Sequence, residues 1–354
     1  MKKNKKKIIV GAGFSAAITN LYLNNSSKVI SLLDDSILSE NKFIRRKEIE
    51  CNKLFAKKSY SYGTIKYFLK NSILHDRLTS SGNSSVWGGK IDIKNINYKD
   101  REFLKGKNIL FKKISYVDTG TISSNKNIYQ LQNLKEKILQ FTDLPIKVQN
   151  GYVLNFYVKS NKIFITIINN KYKKLKTIKT DKLFLCVGSV QLIDLLFRSN
   201  YLKNGDIIEF TEFKHQFKLK SIYSDFKKNS VTVRYHISRA IGHYLGIQFY
   251  SYLLKIFKFI PLCIDQIFYY KKQKLKLKIN SNSAIEIKSN NQSNKFGDSI
   301  HYCNLKINNI DINKFLSKIN SNIFGVGMSF IKQKKPGPIS NEIVLDAKKK
   351  CKNL

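Results

Sequence analysis

The sequence predicts an α/β protein, in which a three-layer domain with a parallel central sheet accompanies a smaller domain that contains a second sheet. Three observations predict this fold: an apolar run leading into a glycine-rich turn near the amino terminus, a second βα unit near the middle, and an apolar strand near the carboxyl end. Short apolar runs of this kind suit strands that are buried on both faces of a parallel sheet. A length of 354 residues leaves room for about two domains.

The first turn predicts a Rossmann-like dinucleotide site. Ile8-Ile9-Val10 indicates a buried strand, and the pattern G-x-G-x-x-A follows it. The first glycine permits a tight turn, the second lets a pyrophosphate approach the backbone, and the small third residue lets the next helix, to about Leu23, pack on the strand. The start of that helix offers N–H groups to a diphosphate. The residues predicted to bind here are Gly11, Gly13, Phe14, Ser15 and Ala16.

A second predicted strand strengthens this interpretation. The predicted strand Val29–Leu33 is followed directly by Asp34, which lies 23 residues after Gly11. A carboxylate at this place can bind ribose hydroxyls. An ordinary βα turn is the alternative explanation for the two glycines. Adenosine diphosphate is common to FAD and NAD, so this segment does not choose between them.

The chain carries a large excess of positive charge. It has 64 Lys and Arg residues against 24 Asp and Glu residues, for a formal net charge of +40, and only 7 of the 64 are Arg. Such a charge suits nucleic acid, an anionic membrane or an acidic ligand. The low share of Arg favours a compositional bias over the whole surface instead. The absence of an RRM, KH or zinc-finger pattern disfavours a nucleic-acid partner.

Cysteine usage bears on the compartment. The five scattered cysteines show no paired spacing, so we expect free thiols, a reducing compartment and no metal site. The basic cluster Lys2–Lys7 and the apolar run after it also resemble a signal peptide, but that run carries the dinucleotide pattern. We therefore expect a cytoplasmic protein, with peripheral attachment to a membrane as an alternative.

Four further segments have distinctive sequences. They are Ser80–Gly89, Leu183–Ser199, Asn322–Phe330 and Ser340–Val344. The first contains the only Trp of the chain, which a flexible linker has no reason to contain. The second is an apolar strand that ends at a glycine and leads into a helix, although any βα unit has this pattern. Together with the first motif, their order resembles the glucose–methanol–choline (GMC) family of FAD-dependent oxidoreductases, as a divergent and short relative.

The resemblance implies FAD as the cofactor and assigns further contacts to it. The small residues of the Ser80–Gly89 loop would let backbone amides approach the flavin. The adenine would lie near the Ile146–Val148 segment. The implied contacts are Ser81, Asn83, Ser84, Trp87, Gly88, Val148, Gly188 and Met328.

The resemblance also implies an active-site pair, His301 and Asn341, which are 40 residues apart. A hydride leaves a carbinol carbon of an alcohol or sugar for flavin N5, and His301 takes the hydroxyl proton, because an imidazole titrates near neutral pH. Asn341 would hydrogen-bond the substrate oxygen and align the C–H bond. An ordinary core or surface histidine is the alternative for His301. A separate electron acceptor is also implied.

Two departures from the family pattern keep other functions open. Asn304–Ile307 replaces the family's G-T-x-R stretch, and Gly327 stands where the family has an Asp that contacts the cofactor. The second hypothesis is therefore a binding protein on a catalytically decayed flavoprotein fold. A basic nucleic-acid-binding protein is the third.

The predicted cofactor domain comprises residues 1–200 and 295–354, and the predicted substrate domain comprises residues 201–294. In the first, Gly151–Ile168 and Tyr172–Ile178 alternate as a β-meander does. In the second, Ile241–Tyr270 is strongly apolar and is expected to form a pair of buried helices. An interfacial helix with basic flanks is the alternative, and it would suit a lipid-linked substrate.

Overall fold

The fold is that of a computed structural model of the chain. The structure describes residues 6–30, 66–69, 89–93, 96–113, 121–122, 128–137, 139, 143–144, 148–149, 152–169, 174–216, 230–236, 263–279, 286–289, 303–332 and 340–352.

The described residues form helices and strands in alternating groups. The strands are β1 (Lys7–Val10), β2 (Lys28–Ile30), β3 (Lys66–Leu69), β4 (Lys90–Asp92), β5 (Leu110–Lys113), β6 (Thr121–Ile122), β7 (Ile128–Gln132), β8 (Val148–Gln149), β9 (Tyr152–Lys159), β10 (Lys162–Asn169), β11 (Lys174–Thr180), β12 (Lys182–Leu185), β13 (Ile207–Gln216), β14 (Ser230–His236), β15 (Cys263–Lys278), β16 (Glu286–Ser289), β17 (Cys303–Ile307), β18 (Ile310–Asp311) and β19 (Ile323–Gly325). The helices are α1 (Phe14–Tyr22), α2 (Tyr98–Lys105), α3 (Ser189–Arg198), α4 (Ile312–Ile319) and α5 (Ser340–Lys352), and a 3-10 turn covers Met328–Phe330.

The central sheet is parallel and has five strands in the order β19-β12-β1-β2-β8. Numbered along the chain, this is the order 5-4-1-2-3 of a Rossmann-like unit. The predicted first, second and mid-chain strands are β1, β2 and β12, and the predicted carboxyl-terminal strand is β19. The expected α/β fold with a Rossmann-like domain is therefore confirmed.

Layers on both faces bury the central sheet. Ile8 and Val10 of β1 lie in one apolar cluster with the three-stranded sheet β9-β10-β11 and with α3 and α4. Ile9 points the other way and lies in a second cluster with α1, α5 and β4. Successive side chains of a strand face opposite sides. Two apolar layers therefore need the uninterrupted apolar run of β1, which is fully buried from Ile8 to Val10.

The predicted β-meander is the antiparallel sheet β9-β10-β11. Ser160 and Asn161 form its first turn, both with positive φ of 49° and 57°, as tight hairpin turns require. Arg198, the last residue of α3, donates to the carbonyls of Val153 and Leu154 in β9 and pairs with Asp194 at 2.9 Å. The meander is thus fastened to the helix that follows β12.

A six-stranded sheet, β18-β17-β13-β15-β14-β6, is the second large sheet. Its long strand β15 shows that the expectation of a helix pair over Ile241–Tyr270 is wrong, because residues 263–270 are strand and residues 263–269 pair with β14. Cross-strand pairing on both edges of β15 decides its conformation, and the apolar run itself carried no strand period. The other residues of that prediction lie outside the described ones. The predicted division at residues 201–294 stays a prediction, although this sheet includes β6, β17 and β18 from outside that range.

Among the helices that the structure describes, none has both the length and the apolar character needed to cross a bilayer.

Candidate functional site

The site begins where β1 and β12 end side by side. In an open sheet of this order, the winding reverses between these two strands, and ligands bind outside their carboxyl ends. The Cys186 N–H donates to the Val10 carbonyl at 2.8 Å, and the Val326 N–H donates to the Leu185 carbonyl at 3.0 Å. The loops after β1, β12 and β19 therefore leave the sheet together at one edge.

Gly11 is the residue that lets the first loop turn. Its φ is +114°, and a Cβ built on it would lie 2.4 Å from the Cys186 carbonyl oxygen. Both the backbone conformation and the neighbouring strand therefore exclude a side chain. The glycine predicted to permit a tight turn has this second, steric role, which its sequence pattern does not contain.

Two helices start at this edge without a side-chain cap. Gly13 is the N-cap of α1 and Gly188 is the N-cap of α3, and neither helix start has a side-chain hydrogen bond at its cap. The first turn of an α-helix has N–H groups without intrahelical partners and carries the positive end of the helix dipole. Two such starts at one sheet edge form a site that suits an anion such as a diphosphate.

The loop after β19 packs against the other two. A Cβ on Gly327, whose φ is +130°, would lie 2.9 Å from Oγ of Ser15, in the first turn of α1 that follows the first loop. The Ser329 and Ser189 hydroxyls, both buried, are 2.9 Å apart and join the third loop to the second. The segment after β19 therefore contacts the segments that follow β1 and β12 at this edge of the sheet.

Asn341 lies at the start of α5, which begins at Ser340, where the resemblance of Ser340–Val344 to a helix start of the family implies a helix. Its side chain is buried, its amide donates a hydrogen bond to the Glu342 carboxylate, and its Oδ1 has no partner within the described part of the chain. Burial raises the pKa of Glu342, and the nearby Asp92 carboxylate raises it further. Polar atoms that remain unpaired in a protein interior are costly and call for an explanation, such as a missing ligand.

The start of α5 lies near the end of the predicted flavin loop. Asp92 closes β4, which directly follows Gly89, the last residue of the Ser80–Gly89 segment. Apolar side chains from β4, α5 and the start of α1 share one cluster, namely Ile91, Ile343, Val344 and Phe14. The structure therefore brings Asn341 to the same layer as the dinucleotide turn.

Two thiols lie behind this site and do not take part in it. Thr19 of α1 contacts both: its Oγ lies 3.6 Å from Cys186 Sγ, and its carbonyl oxygen lies 3.8 Å from Cys351 Sγ. Burial raises the pKa of Cys186 and of Cys351 to about 12. At neutral pH they are neutral packing groups, because the thiolate is the nucleophilic form.

Lys350 near the end of α5 anchors the third loop. Its Nζ lies 2.8 Å from Asp346 Oδ2 and 2.9 Å from Asn313 Oδ1, and it also donates to the Gly325 carbonyl. The ammonium lies 5.5 Å from the centre of the Phe330 ring. A lysine in a run of lysines gave no sign of this role in the sequence.

The structure describes some of the predicted site residues, and it places these in several parts of the fold. At the sheet edge, Gly11 and Gly13 lie in the loop after β1, Phe14, Ser15 and Ala16 begin α1, Gly188 is the N-cap of α3, and Met328 begins the 3-10 turn after β19. Val148 is in β8, the edge strand beside β2, and Asn341 begins α5. The residues that lie outside the described part of the chain are Asp34, Ser81, Asn83, Ser84, Trp87, Gly88 and His301. Sequence reasoning missed Ser189, Ser329 and Glu342. Glu342 lies within the Ser340–Val344 segment that the sequence singles out, directly after the predicted Asn341.

The residues present fit FAD. The two uncapped helix starts suit its diphosphate, and Gly188, with no atom within 4 Å of an added Cβ, leaves that group room to reach the backbone. The unpaired Oδ1 of Asn341 is a buried acceptor of the kind that a bound ligand satisfies. Among the described residues, no group of three His, Cys, Asp or Glu side chains is placed to hold a metal ion.

Comparison with known proteins finds a likeness at the level of the fold. No protein-family model matches the sequence, and no curated protein matches it. Pyridoxine 4-oxidase from Mesorbium loti is similar in structure over 99% of both chains, with a TM-score of 0.54 and 10% identity. At the level of the fold, this likeness confirms the resemblance to GMC oxidoreductases that the motifs indicate.

Two further solved structures are similar at lower scores. A flavoprotein/dehydrogenase from Cytophaga hutchinsonii covers 81% of this chain and 71% of its own, with a TM-score of 0.33 and 10% identity. A CLA-producing fatty acid isomerase from P. acnes covers 100% and 99%, with a TM-score of 0.34 and 10% identity. Likenesses of this degree do not establish a shared fold.

Proposed function

We propose that the protein is an FAD-dependent oxidoreductase that oxidises a CH–OH group of an alcohol or sugar. The observation that carries this proposal is the meeting of two uncapped helix starts, at Gly13 and Gly188, at the point where the parallel sheet reverses its winding. A dinucleotide cofactor binds at such a point. The likeness to an oxidase over the whole chain supports the flavin over a nicotinamide.

The proposed binding roles follow from position. The starts of α1 and α3 hold the diphosphate, Asp34 holds the ribose hydroxyls, and Val148 at the sheet edge lies beside the adenine. Residues of the Ser80–Gly89 segment, namely Ser81, Asn83, Ser84, Trp87 and Gly88, contact the flavin ring together with Met328. The cytoplasm is the proposed location, in keeping with the buried free thiols.

The proposed chemistry divides between cofactor and protein. FAD, when bound, supplies the acceptor for the hydride of the carbinol carbon. His301 holds the hydroxyl proton that the substrate releases, because its ordinary pKa lies near neutral pH. Asn341 fixes the substrate in the reactive orientation from its buried place at the start of α5. A separate acceptor, either oxygen, a quinone or a protein, then takes up the electrons.

A non-catalytic binding protein is the second candidate function. The loop after β19 favours it, because Gly327 cannot replace the cofactor-contacting Asp that the resembled family has at this position. Ser15 occupies the space beside Gly327, so the cofactor would have to gain its contact elsewhere.

An absorption spectrum of the purified protein, before and after denaturation, separates these two functions. Stoichiometric flavin bands would support the oxidoreductase, and a colourless protein that takes up no added FAD would overturn it. Gly188→Ala gives a sharper test, because Gly188 has an ordinary φ of −63° and no atom within 4 Å of an added Cβ. We expect it to fold and to bind FAD more weakly. His301→Ala should keep the flavin and lose its reduction by substrate.

A further inference from the structure

The three-stranded sheet β9-β10-β11 has one face in the core and one face toward solvent. Ile163, Ile165 and Ile167 of β10 are buried in the cluster that also contains α3 and α4. The residues that alternate with them, among them Phe164 and Ile168, point to the other side and are only partly buried. We call that side, with the residues of β9 and β11 that pair with Phe164 and Ile168, the outer face.

The outer face presents apolar side chains to solvent. Tyr157 and Lys179 pair with Phe164 from the two neighbouring strands, and Leu175 pairs with Ile168. Leu175 is 66% exposed and Tyr157 is 42% exposed. The stretch of β10 from Phe164 to Ile168 spans about 13 Å at the usual rise of a strand. An apolar strip therefore runs along β10 and extends into both neighbouring strands.

The charges around this strip have one sign. Residues 152–180 include seven Lys residues and no Asp, Glu or Arg. Lys159 and Lys179 are exposed, and Lys162 pairs with Asp181, which lies just beyond this segment. Lysine stems can lie along apolar surface while their ammonium groups stay in water. The outer face therefore combines exposed apolar area with a cationic border, which suits a partner that is both apolar and negative.

Two other occupants fit this face less well. A second copy of this chain would place its own lysines against these, and like charges repel. A single-stranded nucleic acid would need aromatic rings on which its bases can stack. The Tyr157 ring already covers Phe164, with centroids 5.2 Å apart and 7° between the planes, and the Lys179 ammonium lies 5.9 Å from the centre of the same ring. The exposed aliphatic side chain of Leu175 also matches no group of a nucleotide.

We propose that the outer face docks on the surface of an anionic phospholipid bilayer. Leu175 and Ile168 enter the boundary between the headgroups and the acyl chains, where apolar area leaves water. Tyr157 lies at the level of the headgroups, because its ring is apolar and its hydroxyl is polar. The lysines attract the negative headgroups. This inference goes beyond the proposed oxidation and does not depend on it.

Flotation of the purified protein with lipid vesicles tests this inference at about 0.15 M salt, where exposed charges more than about 8 Å apart are largely screened. We expect binding to vesicles of phosphatidylcholine mixed with phosphatidylserine and much weaker binding to phosphatidylcholine alone. Leu175→Ser should weaken binding about tenfold, because it removes the apolar side chain that leaves water. Lys179→Gln should weaken binding about fivefold. Both positions are exposed, so we expect both variants to fold.

Leu134 and Lys318 provide matched controls elsewhere on the surface. Leu134 is 64% exposed, nearly as much as Leu175, and a lysine follows it too, but it lies in the turn after β7. Lys318 is an exposed lysine of α4. Each control variant, Leu134→Ser or Lys318→Gln, has the same net charge as its test variant. We expect each control to change binding by less than about twofold.

Three results would overturn the inference: no binding to the anionic vesicles, binding that survives Leu175→Ser, or equal losses for the test and control variants. Equal losses would mean that the net charge of +40 attracts the vesicles without a defined face. A poly(U) oligonucleotide that binds in place of the vesicles, and whose binding Tyr157→Ala abolishes, would assign the face to nucleic acid instead. A protein that binds flavin and no vesicles would keep the proposed function and lose the docking face.

Discussion

Gly327 lies directly against Ser15, because a Cβ built on Gly327 would lie 2.9 Å from the Ser15 hydroxyl oxygen. The φ of +130° at Gly327 is also a conformation that residues with side chains rarely adopt. An Asp cannot stand at this position without a change in the turn, so the departure from the resembled family is built into the backbone.

Gly327→Ala should therefore lower the free energy of unfolding by about 1–3 kcal/mol, mainly through backbone strain. Ser15 contributes little to the loss, because its hydroxyl is the movable end of a side chain. Urea unfolding of Gly327→Ala with and without Ser15→Gly separates the two causes. A full recovery in the double variant would show that the contact, and not the backbone, sets the cost.

Replacement of three glycines by Ala, one at a time, separates the effect of a positive φ from the effect of a close neighbour. Gly11 has a positive φ and lies against the Cys186 carbonyl, Gly205 has a positive φ of +90° with no atom within 4 Å, and Gly188 has neither constraint. Replacement by Ala should cost more than about 3 kcal/mol at Gly11, about 1 kcal/mol at Gly205 and less than that at Gly188. Urea unfolding measures all three, and equal losses at Gly11 and Gly205 would contradict the role given to Cys186.

The buried thiols should resist alkylation in the folded protein. Raising the pKa of Cys186 and Cys351 from 9.0 to about 12 lowers their thiolate fraction at about pH 8 by roughly a thousandfold. Iodoacetamide should therefore label neither residue natively and both in guanidinium chloride. Peptide mass spectrometry provides the measurement, and native labelling of Cys186 would contradict its burial behind α1.

Glu342 should make stability depend on pH in a defined direction. Burial raises its pKa above 4.5, so the folded protein holds this proton more tightly than the unfolded chain. The resulting stabilisation is present at low pH and is lost as pH rises through the raised pKa. The melting temperature of the native protein relative to Glu342→Gln should thus fall as the pH rises above about 4.5. A rise over this range would mean that the folded protein favours the charged carboxylate.

Lys350 should contribute strongly to stability. Its partner Asp346 is mostly buried, and without the ammonium it would be a buried, unpaired carboxylate. Removing one member of such a pair costs about 3–5 kcal/mol. We expect a loss of this size for Lys350→Met in urea unfolding, a smaller loss when Asp346→Asn accompanies it, and little change for the exposed neighbour Lys349→Met. Equal losses for the two lysine variants would contradict the role of this anchor.

The sequence predicts those features that depend on neighbours along the chain. The apolar run Ile8-Ile9-Val10, the glycine turn after it and the start of α5 at Ser340 depend on local pattern, and each was predicted. The strand that begins at Cys263 was predicted wrongly, because its pairing with β14 involves residues 27 to 39 positions away. The closeness of Gly327 to Ser15 depends on three loops meeting at one edge, which no local pattern encodes.

Contacts around the central sheet join parts of the chain that are synthesised at very different times. The Lys6 N–H donates to Asp181, 175 positions later, and the Cys351 thiol meets Thr19, 332 positions earlier. At about 5–20 residues per second, a ribosome needs roughly 20 to 70 seconds to make the residues between that helix and that thiol. Throughout this interval the layer that covers Ile9 on one face of the sheet lacks α5, which is synthesised last. Such distant pairings also make folding slow. The nascent chain should therefore depend on chaperones that shield its first strand until its last helix has been synthesised.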